Sequence, residues 1–308
     1  MIKTKIFYVL IVSAIICGAL VGIILIIESN HPNSPNSDND RIVSIAAACT
    51  EIIYAIGAGD KLVGVDQYSI NYALTGDAAF QGAPGELKDY LHEVPNKTNV
   101  GTTSALELEL LISLNPAKVF SWEWATTANE AIENLGIEVI KINPQSIDDI
   151  FNLITSIGEL LEKPVEAAAV NFEIQERINN ITYKLENLTE GEIPLVYYEL
   201  SSLGKTVGPG TITNEMISVA GGINLAGNES LRYPTLSSEY IVARNPDIIV
   251  VVSYGASINE IKSRAGWGDI SAVQNDNIYV IESGWATASP RFILGLENFS
   301  LWFHPALF

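Results

Sequence analysis

The possible folds of this chain are limited most by an alternation of short apolar runs with amphipathic segments that begins at Arg41. The apolar runs are four to six residues long, which suits buried strands, and the segments between them have helical spacing. Strands that alternate with helices form mostly parallel sheets with helices on their faces, so the predicted fold class is α/β. The predicted strands are 42–45, 62–65, 118–121, 137–142, 195–199, 248–252 and 278–281, the predicted helices are 50–56, 106–114, 127–135, 146–161, 212–220, 239–243 and 292–302, and a long polar loop is predicted at 66–99.

One further predicted helix is longer than the others. It begins near Pro164, which suits a first helical turn, and no other glycine or proline occurs before Gly191. Its apolar residues recur every three or four positions. We therefore predict two α/β lobes with mostly parallel sheets joined by this one long helix. The predicted boundaries are 41–162 for the N-terminal lobe, 163–190 for the bridging helix and 191–308 for the C-terminal lobe.

The two halves also share a short sequence pattern at a fixed distance. Glu109 precedes an Asn-Pro pair at 115–116, and Glu239 precedes an Asn-Pro pair at 245–246, so both features repeat at an offset of 130 residues. In each half a predicted helix ends at the pair and a predicted strand follows. The pattern favours an internal duplication.

The N-terminus carries a second strong signal, an uncharged apolar run over residues 6–27. Its 22 residues are close to the roughly 20 that a membrane-spanning helix needs. Two lysines precede the run and Glu28 follows it, which orients the rest of the chain outward. We expect residues 1–27 to be an uncleaved membrane anchor or signal and residues 28–40 to be a polar tether. A lipoprotein signal that uses Cys17 and an ordinary cleaved signal are the alternatives, and all three place the fold outside the cytoplasmic membrane.

Composition removes several classes of function. The 308 residues contain 17 Lys+Arg and 36 Asp+Glu, a net charge of −19, which excludes the basic face that a nucleic-acid binder needs. Two cysteines and three histidines leave no disulfide framework and no histidine-rich metal site, and no G-x-S-x-G motif occurs. We therefore expect no catalytic residues, no metal ligands, no cofactor and no enzymatic activity. Five N-x-S/T sequons, at Asn96, Asn180, Asn187, Asn228 and Asn298, would suit an exported glycoprotein.

Several motifs stand out along the folded part of the chain. They are Arg41-Ile-Val-Ser-Ile with Thr50-Glu51-Ile-Ile, Leu-Asn-Pro at 114–116, Gly208-Pro-Gly-Thr-Ile-Thr-Asn-Glu-Met216, Ala220-Gly-Gly-Ile-Asn224, Ser238-Glu239 with Ala243-Arg-Asn-Pro-Asp247, and Ala288-Ser-Pro-Arg291. Taken together they resemble substrate-binding proteins of ABC importers for cobalamin and ferric siderophores. The resemblance covers about residues 41–308 and implies a two-lobed binder whose lobes, bridged by a rigid helix, close little around a ligand. It also implies an ABC importer permease as partner, and we expect the binder to be a monomer.

In this family one surface glutamate on each lobe docks onto arginines of the permease. The positions that match here are Glu109 and Glu239, the two glutamates related by the offset of 130. The alternative is that both are ordinary exposed acids, which are favourable near the start of a helix.

The ligand is expected at the carboxyl ends of the strands, where open α/β sheets bind ligands. Trp122, Tyr233 and Trp285 fall where cobalamin binders carry aromatic residues, whereas Thr102-Thr103 stands where a tryptophan is expected. The predicted ligand-binding residues are Tyr68, Trp122, Tyr233, Tyr254, Trp285 and Arg291.

Few basic residues lie in these loops, so a near-neutral corrinoid of the cobalamin type is favoured over an anionic ferric siderophore, with heme as a further alternative. Two other classes of protein remain open. A membrane-tethered sensor without a transporter would keep the aromatic loops but would not need the two glutamates. An exported enzyme would need an acid and a base that converge in the cleft.

Overall fold

The computed structural model describes residues 41–308. The anchor and the tether predicted for residues 1–40 lie outside the described residues. None of the helices between residues 41 and 308 combines the length and the hydropathy that a bilayer crossing requires.

Short strands and amphipathic helices alternate along the described chain, as the sequence pattern predicts. The strands are β1 (Ile42–Ser44), β2 (Leu62–Val65), β3 (Thr98–Asn99), β4 (Gly101–Thr102), β5 (Ala105–Leu106), β6 (Lys118–Trp122), β7 (Glu138–Ile142), β8 (Leu195–Glu199), β9 (Ile223–Asn224), β10 (Ile248–Val252) and β11 (Ile278–Ile281). The α-helices are α1 (Ala47–Ala55), α2 (Gln67–Ala73), α3 (Tyr90–Glu93), α4 (Leu108–Ser113), α5 (Thr126–Glu133), α6 (Ile147–Leu160), α7 (Pro164–Leu185), α8 (Ile212–Val219), α9 (Ser238–Arg244), α10 (Ile258–Ser263), α11 (Ser271–Gln274) and α12 (Phe292–Phe303).

The strands form two parallel sheets and one small hairpin. The first sheet has the order β3-β2-β1-β6-β7 and the second has the order β11-β10-β8-β9. Every pairing in these two sheets is parallel, whereas β4 and β5 pair antiparallel. The α/β class with parallel sheets is therefore confirmed.

The repeat seen in the sequence extends to the backbone. Both α4 and α9 are followed by an asparagine in the left-handed region, Asn115 with φ 45° and Asn245 with φ 50°. A proline follows each asparagine, and β6 and β10 each start two residues after that proline. Asparagine tolerates this conformation better than most side chains, which explains why it recurs at both helix ends.

The long helix α7 runs from Pro164 to Leu185 and contacts elements of both halves. One apolar face is buried, and the helix packs on α6 and on α12. Arg177 in its middle donates two hydrogen bonds to the carboxylate of Glu297 on α12, at 2.8 and 2.7 Å, and a third to the carbonyl of Gly82 at 2.7 Å. The helix is thereby tied to both halves, while the lobe boundaries at 162 and 191 stay a prediction.

Residues 66–99 correct one sequence prediction, because they are not a loop throughout. They contain α2, α3, β3 and several turns of 3₁₀-helix. The side chain of Asp66 caps α2 by accepting from the amide of Ser69, and Leu87, Tyr90 and Val94 are fully buried. Helices of seven and four residues are too short to show a clear period in a stretch rich in glycine and proline.

A buried ion pair joins the two halves of the described chain. Arg291, which precedes α12, donates through two nitrogens to the carboxylate of Glu51 on α1, and both side chains are only 1% exposed. The guanidinium also lies 3.9 Å from the ring centre of Phe80 and 3.3 Å from the carbonyl oxygen of Ala79. A desolvated charge of this kind is tolerated only while its partner is present.

We expect the substitution Glu51→Gln to lower the free energy of unfolding by about 3–5 kcal/mol, because it leaves the Arg291 charge buried without compensation. Chemical denaturation of the two proteins measures the difference. The matched control is Glu176→Gln on the exposed face of α7, which should change stability little. A loss for Glu51→Gln no larger than that of the control would contradict a structural role for the pair.

Candidate ligand-binding cleft

A cavity of about 570 Å³ lies between the carboxyl ends of the two parallel sheets. Its walls come from both halves of the described chain, mostly from segments that directly follow strands or begin helices, which is where open α/β sheets bind ligands. The lining residues are Ile45, Ala47, Asp66, Tyr68, Tyr72, Thr103, Ser104, Trp122, Trp124, Pro144, Thr211, Ile212, Thr213, Arg232, Tyr233, Ala286, Thr287 and Ala288.

Aromatic side chains form much of the wall. Tyr68 is 53% exposed, Trp124 is 63% exposed and Tyr233 is 48% exposed, so all three present uncovered ring surface. Trp122 and Trp124 stack with their ring centres 6.1 Å apart and their planes 18° from parallel. Rigid rings bury a large area against a flat ligand at little cost in side-chain entropy. The cleft is therefore suited to a large, flat, mostly apolar ligand.

The structure brings three of the predicted ligand-binding residues together. Tyr68, Trp122 and Tyr233 all line the cavity. Tyr68 and Trp122 follow predicted strands, whereas Tyr233 follows the short strand β9, which the sequence pattern did not predict. Sequence reasoning missed Asp66 and Thr213. The signal for Asp66 was available, because it comes directly after the apolar run of β2.

The other three predicted residues lie elsewhere. Tyr254 follows β10 and is 64% exposed, outside the cavity wall. Trp285 donates its indole N–H to the carbonyl oxygen of Ala79 at 2.8 Å, and the Arg291 guanidinium donates to the Glu51 carboxylate. Trp285 and Arg291 therefore connect the two halves, and neither lines the cavity. Their partners are more than 200 residues away in sequence, a pairing that no local pattern reveals.

Asp66 and Arg232 are the charged residues among those that line the cavity. Asp66 is 2% exposed and accepts two hydrogen bonds from Ser69, one from the amide at 3.0 Å and one from the hydroxyl at 2.5 Å. Burial raises the pKa of the Asp66 carboxyl, and the hydrogen bonds from Ser69 oppose this shift. Burial also raises the pKa of the nearby Tyr72 hydroxyl to about 12, so this tyrosine stays a hydrogen-bond donor at neutral pH.

The described residues contain no group of three or more His, Cys, Asp or Glu side chains arranged to hold a metal ion. Cys49 lies in the first turn of α1 and is fully buried. Burial raises the pKa of its thiol, which disfavours the thiolate that binds metals.

Glu109 and Glu239 occupy equivalent positions in the two halves. Each is exposed and is the second residue of its helix, α4 or α9. Helix α4 is followed by β6 and helix α9 by β10, and each of these strands is an inner strand of its parallel sheet. Each half therefore carries one exposed glutamate at the start of the helix that precedes an inner strand.

Comparison with known proteins gives a consistent result. A family model described as periplasmic binding protein matches residues 42–284. The uncharacterized ABC transporter substrate-binding lipoprotein YvrC of Bacillus subtilis is 30% identical over 288 residues, which is 91% of this chain and 85% of that protein. The vitamin B12-binding protein of Vibrio cholerae is 25% identical over 264 residues, which is 84% of this chain and 87% of that protein.

Solved structures share the fold. The periplasmic heme-binding protein RhuT from Roseiflexus sp. RS-1, in its apo form, superposes with a TM-score of 0.71 at 24% identity. The match covers 87% of this chain and 99% of the other. At this identity the likeness shows the architecture alone, so the choice of ligand has to be argued from the cleft itself.

Proposed function

The chain belongs to the periplasmic binding protein family, and we propose that it captures a corrinoid of the cobalamin type outside the cytoplasmic membrane and delivers it to an ABC importer permease. The observation that carries the choice of ligand is the cleft wall, where stacked aromatic rings accompany a single acid and a single base. A corrinoid offers a broad flat ring edged with neutral amides, which matches both features. The similarity to a vitamin B12-binding relative supports the same ligand.

The competing ligands match the wall less well. Many ferric siderophores carry several negative charges, and heme carries two carboxylates. Each would need more than the one base that Arg232 supplies, and Asp66 would repel a second anionic group. A near-neutral ligand avoids this repulsion.

We expect isothermal titration of the exported part of the chain, residues 41–308, with cyanocobalamin to show binding at one site per molecule. Trp122→Ala should weaken this binding by at least about tenfold, because it removes one ring of the stacked pair that faces the ligand. The matched control is Phe172→Ala, which removes an exposed ring of α7 away from the cavity. Binding of heme or of a ferric siderophore in place of cyanocobalamin would assign the cleft to that ligand and contradict the proposal.

Docking onto the permease is proposed to use Glu109 and Glu239. Their support is the equivalent placement as exposed second residues of α4 and α9, one in each half. Two separated carboxylates fix the orientation of a partner better than one, because a single contact leaves rotation free. Neither glutamate lines the cavity, so ligand binding and docking can be changed separately.

We expect the double substitution Glu109→Ala and Glu239→Ala to abolish uptake and to leave the affinity for cyanocobalamin unchanged. Loss of two desolvated ion pairs would weaken docking by about a thousandfold or more. Uptake is measured in cells that depend on this importer, beside the control Glu176→Ala with Glu186→Ala, two exposed acids of the α7 region. Normal uptake by the double variant would favour a tethered sensor and would mean that both glutamates are ordinary exposed acids without a docking role.

We also propose that residues 1–27 keep the protein at the membrane as an uncleaved anchor. The length of the apolar run and the lysines before it support this, whereas the Bacillus relative is described as a lipoprotein. Intact mass spectrometry of the membrane fraction should find a chain that begins at Met1 or Ile2, and Cys17→Ser should leave that mass unchanged except for the substitution. A mature chain beginning at a lipid-modified Cys17 would replace the anchor with a lipoprotein signal.

A further inference from the structure

Arg232 is the one basic residue among those that line the cleft, and within residues 41–308 its guanidinium forms no ion pair. Its Nε is buried without a hydrogen-bond partner in the part of the chain that the structure describes. Other arginines behave differently, since Arg177, Arg264 and Arg291 each bind a glutamate carboxylate through two nitrogens. A partly desolvated guanidinium without a counter-charge is unfavourable beside a cavity unless a ligand supplies an acceptor or a negative charge.

The backbone that carries Arg232 is held firmly. Its carbonyl accepts from the amide of Gly208 at 2.7 Å, and two residues later the carbonyl of Pro234 accepts from the amide of Thr206 at 3.1 Å. A Cβ on Gly208 would lie 2.3 Å from the carbonyl oxygen of Leu231, so the close approach of these two segments requires glycine. The arginine is therefore fixed in the cleft wall and is not on a freely moving loop.

The side chain is also supported along its length. Gly210 has a φ of +75°, and a Cβ added there would lie 3.8 Å from the Cγ of Arg232, so the arginine stem lies beside this glycine. The guanidinium carbon lies 5.8 Å from the ring centre of Tyr233, which also lines the cavity. This arrangement leaves the planar head available to an anionic group that sits against the aromatic wall.

We infer that Arg232 binds the phosphodiester of the ligand, so that the cleft selects complete, nucleotide-bearing corrinoids over corrinoids that lack the nucleotide. The inference rests on the proposed corrinoid function. In a cobalamin the ring substituents are amides, and the phosphodiester that links the ring to its nucleotide is the single anionic group. One unpaired guanidinium matches one such group, and guanidinium is well shaped for two-point binding of phosphate oxygens.

The test compares cyanocobalamin with dicyanocobinamide, which has the corrin ring but no nucleotide and no phosphate. By titration calorimetry the unaltered protein should bind cyanocobalamin at least about tenfold more tightly than dicyanocobinamide. Arg232→Gln should lower the affinity for cyanocobalamin by about the same factor and leave the affinity for dicyanocobinamide unchanged. Arg232→Lys should keep part of the preference for cyanocobalamin. The matched control is Arg244→Gln, an exposed arginine at the end of α9 that does not line the cavity.

The salt dependence provides a second readout. Raising the sodium chloride concentration should weaken cyanocobalamin binding by the unaltered protein more than by Arg232→Gln, because screening acts on the charge pair that the variant lacks. Circular dichroism on heating confirms that the variants are folded. Equal affinity of the unaltered protein for both corrinoids, or equal losses for both in Arg232→Gln, would overturn the role of Arg232 and leave the corrinoid function standing. Failure to bind either corrinoid would overturn the proposed function itself.

Discussion

The buried ion pair between Glu51 and Arg291 is the strongest single constraint between the two halves, because both charges are desolvated and each compensates the other. The pair links α1 in the first half to the residue that precedes α12, the last helix, and its two members lie 240 residues apart in the sequence. The pair excludes any side chain at Gly284, where a Cβ would lie 2.3 Å from the Arg291 guanidinium. Removing one charge from such a pair costs far more than the intact pair contributes, so the arrangement is specified as a unit. The carbonyl of Ala79 extends the unit by accepting from both Arg291 and Trp285.

Other contacts restrain the halves away from this point. Arg177 on α7 holds Glu297 of α12, and the carboxylate of Glu215 on α8 accepts from the amide of Ile147 at the start of α6, at 2.8 Å. A hinge motion needs a few backbone positions that absorb the change without breaking buried contacts. Here the Glu51–Arg291 ion pair, the contacts of α7 and the N-terminus of α6 would all have to adjust together. The physical arrangement thus favours small changes in cleft width when a ligand binds.

The sequence predicts the elements that are long or fully buried and misses those that are short. The strands 195–199 and 248–252 agree with the structure at both ends, since runs of four or five apolar residues identify buried strands. The start of α1 is missed because Ala46 caps it without a side-chain hydrogen bond, which leaves no visible N-cap before Thr50. In the cleft, Tyr68, Trp122 and Tyr233 lie in the cavity wall, and their role in binding stays a prediction. The rule of carboxyl strand ends does not reveal the contacts of Trp285 and Arg291, because their partners are distant in sequence.

The electrostatics of the cleft differ from those of the whole molecule, and both act on the choice of ligand. A net charge of −19 creates a negative field that opposes the approach of multiply charged anions. Inside the cleft the balance is local, with one buried acid on the first half and one unpaired base on the second. A ligand that is neutral overall and carries a single negative group meets neither obstacle. The same negative field attracts any partner that presents a basic face. The overall charge therefore acts on long-range approach, while the electrostatic environment inside the cleft depends on the few charges that the fold encloses.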